Sequence, residues 1–219
     1  MLASAASLFI GFTLLRSAVA GFVLYYIACC VAIPLFDLVA ARGVPARKIP
    51  AVLGFGKARG ADVALGVISG LVMVAVMIAA LALLKDSVFG SDAIVSTLRT
   101  WGLRREYLVL VCALLMAFNG AIEEFFWRGY LHERLASLPN RFLAIGLTSA
   151  FFGAQHLFVV SSIVRDPAIV ALFLTGILGA GAVWGVMRER TKSLVPSVIS
   201  HMAVTAGYLG VFLYYSLSA

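Results

Sequence analysis

The chain has 219 residues, of which 63% are hydrophobic and only 12% charged, against roughly 25% charged in an average soluble domain. That balance excludes water as the main solvent and points to an all-α polytopic membrane protein, a bundle of about six to eight transmembrane helices. The formal net charge of +7 does not suggest a nucleic-acid partner, because the basic residues are spread among loops between apolar runs and do not line one soluble face.

Residues 2–15 form a short apolar stretch that ends at Arg16. No basic n-region precedes it, as the apolar core of a cleaved signal peptide would require. It reads as an uncleaved interfacial or re-entrant segment, or as an extra short span. Uncharged runs follow at 17–36, 63–84, 107–122, 142–164, 167–187 and 193–219. About 20 apolar residues cross the ~30 Å hydrocarbon core as a helix, so every run except the third is long enough by itself. Neither Gly nor Pro lies between Ile122 and Gly129, and the third run is therefore expected to continue through Glu123 and Glu124 as one helix.

The two longest connections are 41–61, with Pro45 and Pro50, and 85–105, where Asp86, Ser91, Asp92 and Trp101 mix polar and aromatic character. The first carries Arg42, Arg47, Lys48, Lys57 and Arg59, which by the positive-inside tendency places it in the cytoplasm. Alternation then puts Arg128, Arg134, Arg141, Arg188, Arg190 and Lys192 inside, and Arg16, Lys85, Arg99, Arg104, Arg105 and Arg165 outside. An integral protein of the cell membrane is expected, with Glu123 near the cytoplasmic side. Trp101 and Trp127 fit an interfacial aromatic belt. Small residues four apart, at Gly66 and Gly70, Ser149 and Gly153, and Gly181 and Gly185, predict close helix packing. Cys29, Cys30 and Cys112 all lie in apolar runs and read as small buried hydrophobes. No long polar linker or repeat appears, so the reading is one transmembrane domain over 1–219.

An ionisable group at membrane depth costs several kcal/mol unless paired or hydrated, and is a functional candidate for that reason. In a helix, residues four apart share a face. Asn119, Glu123 and Trp127 make one stripe, and Glu124, Arg128 and His132 make the next, about 100° away. Glu124 can thus pair with Arg128 inside its own helix. Glu123 has no partner in its stripe and is left to face the interior as a candidate general base. His156 lies deep in the run 142–164, just after Gln155, and His201 follows Pro196 in the last run, with Thr205 one turn further on the same face. Few other polar groups compete inside the apolar runs, with Asp37 read as interfacial. Glu123, His156 and His201 are therefore expected to share one hydrated pocket.

Over about residues 105–215, the core that the resemblance implies, the chain resembles a known family. E-E-F-F-W-R-G at 123–129 is similar to the Glu-Glu-x-x-x-Arg motif of the CPBP intramembrane endopeptidases, also called ABI or CAAX prenyl protease type II proteins. F-G-A-Q-H at 152–156 is similar to their Phe-x-x-x-His motif, and S-L-V-P-S-V-I-S-H at 193–201 resembles the approach to their last catalytic histidine. One position departs: Thr205 stands where the family has Asn or Asp, and a hydroxyl lacks the two N–H donors of an amide. The resemblance implies a glutamate-type peptidase acting on a membrane-embedded or membrane-anchored protein or peptide. Glu123 with His156 would activate water, His201 with Thr205 would stabilise the oxyanion, and Glu124 with Arg128 would support the helix that presents Glu123.

No cofactor is expected. Carboxylates and histidines could also bind Zn²⁺, but there is no His-Glu-x-x-His helix. A non-catalytic scaffold or immunity factor is a second alternative. A transporter ranks last, since the two halves show no paired repeats or matched broken helices.

Overall fold

The computed structural model describes residues 1–56, 58–89, 93–135 and 137–218. Lys57, Ser91 and Asp92, used in the sequence reading, lie outside the described residues. Among those described, the protein is helical throughout and contains no strand. Six helices are long and apolar enough to cross a membrane, and the protein is an all-α polytopic membrane protein.

In chain order, α1 (Leu2–Leu14) is followed by the first crossing helix α2 (Ala18–Ala41). A short α3 (Ile49–Leu53) leads to α4 (Gly60–Leu83). Two short helices, α5 (Lys85–Phe89) and α6 (Ala93–Thr100), precede α7 (Arg105–Arg134). Then come α8 (Arg141–Gln155), α9 (Leu157–Ile163), α10 (Pro167–Thr191) and α11 (Val195–Ser218). Helices α8 and α9 form one crossing path, Arg141–Ile163, with a tightened turn at His156, whose N–H bonds back to Gly153 O at 3.1 Å.

The helix ends follow local chemistry. Asn140 caps α8 by accepting from the N–H of Phe142 at 2.8 Å, and Asp166 caps α10 by accepting from Ala168 N–H at 2.8 Å. Lys192, at φ 57°, ends α10 in a left-handed turn. The run 107–122 does continue through both glutamates, and α7 then loosens over Phe125–Leu131, where the His132 N–H reaches Trp127 O five residues back. Wide turns of this kind are frequent at functional sites.

Packing is closest where glycine removes a side chain. Helix α11 lies against α4 and α7, and α8 lies against α10. A Cβ on Gly66 would sit 2.8 Å from Pro196 O, and one on Gly120 would sit 2.7 Å from the Met202 nitrogen. The small-residue pairs at 149–153 and 181–185 meet across α8 and α10: a Cβ on Gly181 would lie 3.4 Å from Ser149 Cα, and one on Gly185 would lie 3.0 Å from Ile145.

Helix α1 is not left on the surface. Leu8 and Phe12 are buried, and the backbone at Gly11 approaches Gly21 of α2 so closely that no Cβ fits between them. Trp101 corrects its sequence reading. It is buried, stacks obliquely on Phe12 at 4.6 Å and donates its indole N–H to Phe12 O at 3.0 Å, so it anchors α1 inside the protein and forms no part of an interfacial belt. Asp37 pairs with Arg134 at 3.2 Å, tying the end of α2 to the end of α7. All three cysteines are free and buried.

Candidate active site

Glu123 and Glu124 are adjacent in α7 and both are buried, yet they have different surroundings. Glu124 Oε1 accepts from Arg128 Nη1 at 2.8 Å and from His201 Nδ1 at 3.0 Å. Arg128 is itself fully buried, donates through Nη2 to Gly181 O at 2.9 Å, and places its guanidinium 4.6 Å from the Phe152 ring centre. The Glu124–Arg128 pair read from the sequence is therefore present, and it is fixed further from α8, α10 and α11. His132, one turn beyond Arg128, also reaches α10 and bonds Glu189 at 2.7 Å.

Glu123 Oε1 accepts from the Tyr25 hydroxyl at 2.7 Å. Its Oε2 has no hydrogen-bond partner and lies 3.4 Å from His201 Nε2. The His201 imidazole thus bridges the two glutamates, one nitrogen toward each. Its ring stacks on Trp184, with centroids 4.1 Å apart and planes 15° apart, and Trp184 donates in turn to Ser200 Oγ at 3.0 Å.

His156 is less tightly engaged. Its Nδ1 lies 2.6 Å from Phe152 O, and since a carbonyl only accepts, that nitrogen carries the proton. Phe152 separates the two histidines, with its ring 4.7 Å from His156 and 5.8 Å from His201. Among the described residues His156 makes no direct bond to Glu123, although the two are close enough to interact electrostatically. Thr205 is buried one turn beyond His201, and its Oγ1 accepts from Asn119 Nδ2 at 3.1 Å. The Asn119 Oδ1 accepts from Tyr26.

The expectation that few polar groups compete inside the bundle was wrong. Tyr25, Tyr26, Asn119 and Gln155 all reach the site. Trp127, read as an interfacial anchor, is instead fully buried and donates to the Tyr25 hydroxyl at 3.3 Å. The adjacent tyrosines in an otherwise apolar run were the available signal, because a buried phenol usually finds a hydrogen-bond partner. Among the described residues, no group of three or more His, Cys, Asp or Glu side chains is arranged to hold a metal ion.

Fold and site together define a polytopic integral membrane protein built around a buried carboxylate–histidine centre. Residues 105–207 match the family model described as Type II CAAX prenyl endopeptidase Rce1-like, in agreement with the family resemblance carried by the motifs at 123–129, 152–156 and 193–201. The match covers α7 to α11, and so Glu123, Glu124, Arg128, His156, His201 and Thr205, but not Tyr25. No curated protein and no solved structure matches the chain.

Proposed function

We propose that the chain is an intramembrane glutamate-type endopeptidase that hydrolyses a peptide bond in a membrane-embedded or membrane-anchored protein or peptide. The observation that carries this reading is the asymmetry of Glu123: Oε1 is held by Tyr25, while buried Oε2 has no hydrogen-bond partner and faces His201. A carboxylate held this way keeps one oxygen available as a general base.

In the reaction Glu123 takes a proton from water as the water oxygen bonds to the scissile carbonyl carbon. The carbonyl oxygen becomes an oxyanion, stabilised by His201, with Thr205 supporting the histidine's helix. Collapse of the intermediate breaks the C–N bond, and the proton on Glu123 passes to the departing amine. His156, with its Nδ1 proton given to Phe152 O, offers Nε2 as an acceptor that positions the water. Glu124 and Arg128 hold His201 and α7 in register. The reading calls on no metal, cofactor or nucleic acid.

Glu123 is nearer the Arg134 end of α7 than the Arg105 end, and the basic loops at that end support a site toward the cytoplasmic half of the cell membrane. A substrate reaches it from that face or laterally through lipid. The family description names a CAAX prenyl endopeptidase, and a lipid-anchored C-terminal peptide is the first substrate class to test.

One observation favours a non-catalytic role as scaffold or immunity factor: the Thr205 hydroxyl is already engaged by Asn119. The two readings separate on Glu123→Gln, which keeps the shape and removes the base. Comparing the membrane proteomes of cells carrying wild-type or Glu123→Gln protein should reveal new protein termini that depend on Glu123. If no terminus differs and the phenotype persists, the peptidase reading is overturned.

A further inference from the structure

We infer that Tyr25 of α2 is a positioning residue that makes Glu123 a one-sided base, so that the first crossing helix, outside the family match, is part of the active site. The consequence for rate rests on the peptidase reading; the geometry does not. A phenol oxygen has one proton to donate and two lone pairs to offer. Here Gln155 Nε2 donates to it at 2.6 Å and Trp127 Nε1 at 3.3 Å. With both lone pairs engaged, the Tyr25 proton goes to the remaining neighbour, Glu123 Oε1 at 2.7 Å. The opposite orientation of the Gln155 amide would set two acceptors, Gln155 and Glu123, against a single phenol proton, so the donor orientation is the one that gives the phenol proton a single acceptor, with Gln155 Oε1 left without a hydrogen-bond partner.

All four side chains are buried and come from three elements: Tyr25 from α2, Glu123 and Trp127 from α7, and Gln155 from the end of α8. The Tyr25 ring also packs against Tyr26 at 5.0 Å, which limits its freedom to swing away. One oxygen of Glu123 is thereby occupied. Proton traffic runs through Oε2, the oxygen that faces His201.

Infrared difference spectra of wild type against Glu123→Gln protein in phosphatidylcholine vesicles isolate the Glu123 carboxyl bands without any substrate. In Tyr25→Phe those bands move, because Oε1 loses its donor. In Gln155→Met, which keeps the phenol but removes one of its donors, they move less, because the polarised chain of bonds is shortened. Bands that coincide with wild type in both variants overturn the proposal, and Gln155→Met carries the test if Tyr25→Phe does not fold. Kinetics on an internally quenched peptide spanning a Glu123-dependent cleavage site give the second measurement. Tyr25→Phe lowers kcat by about 10- to 100-fold, the cost of a small misplacement of a catalytic group, and leaves KM unchanged. A wild-type kcat in Tyr25→Phe overturns the proposal, whereas shifted bands in a protein that cleaves nothing leave Tyr25 in place and remove the peptidase reading.

Discussion

Arg128 meets Glu124 at 2.8 Å with neither side chain reached by solvent. Removing one member of such a pair strands a buried charge at a cost of about 3–5 kcal/mol, whereas replacing both with apolar groups is often close to neutral. We predict that Arg128→Met and Glu124→Leu each destabilise the protein by about that amount and that the double variant recovers part of the loss. Recovery is incomplete because His201 Nδ1 still loses its acceptor. Equilibrium unfolding in mixed micelles measures all three, and additive losses would contradict the pairing.

Gly120 sets the approach of α7 to α11 beside the site. A methyl group there meets the Met202 nitrogen at 2.7 Å and the His201 carbonyl carbon at 3.1 Å, and backbone cannot rotate away as a side chain can. Gly120→Ala is expected to cost about 1–3 kcal/mol, the usual range for overpacking. By pushing the helices apart it also lengthens the 3.4 Å separation of Glu123 and His201 and lowers turnover. Melting temperature and cleavage rate should fall together; an unchanged pair of values would show that α11 is held less tightly than its glycines suggest.

Thr205 is predicted to matter chiefly through its hydroxyl. Thr205→Val keeps the shape but leaves Asn119 Nδ2 facing a methyl group, and a buried donor without a partner costs about 1–3 kcal/mol. Thr205→Ser keeps the acceptor and should stay near wild type. Thermal unfolding of the two variants side by side makes the comparison, and a Val variant as stable as Ser would argue against this bond.

Chelators provide a further check. The proposed chemistry is carried by Glu123, His156 and His201, so Glu123-dependent cleavage should persist in EDTA and in 1,10-phenanthroline. Loss of cleavage that returns on adding Zn²⁺ would replace the glutamate mechanism with a metal-dependent one.

The crossing helices were legible because a membrane enforces a length and a polarity on each of them. The split between Glu123 and Glu124 was legible for a related reason, since four-residue spacing in α7 directs Arg128 to the second glutamate alone. What lay beyond the sequence was contact between distant elements. Nothing in the run 17–36 says that Tyr25 meets Glu123, because that contact depends on how α2 leans on α7. Trp101 and Trp127 misled for the same reason: proximity to a span end suggests an interfacial anchor, but only packing reveals that each indole N–H is used inside the protein.

The flat stacking of Trp184 on His201 gives the protein an internal optical reporter. An indole's emission depends on what lies against its ring, so Trp184 emission changes when the His201 ring moves off it. With Trp101 and Trp127 replaced by phenylalanine, the fluorescence of this one native residue can thus follow the position of the His201 ring in real time.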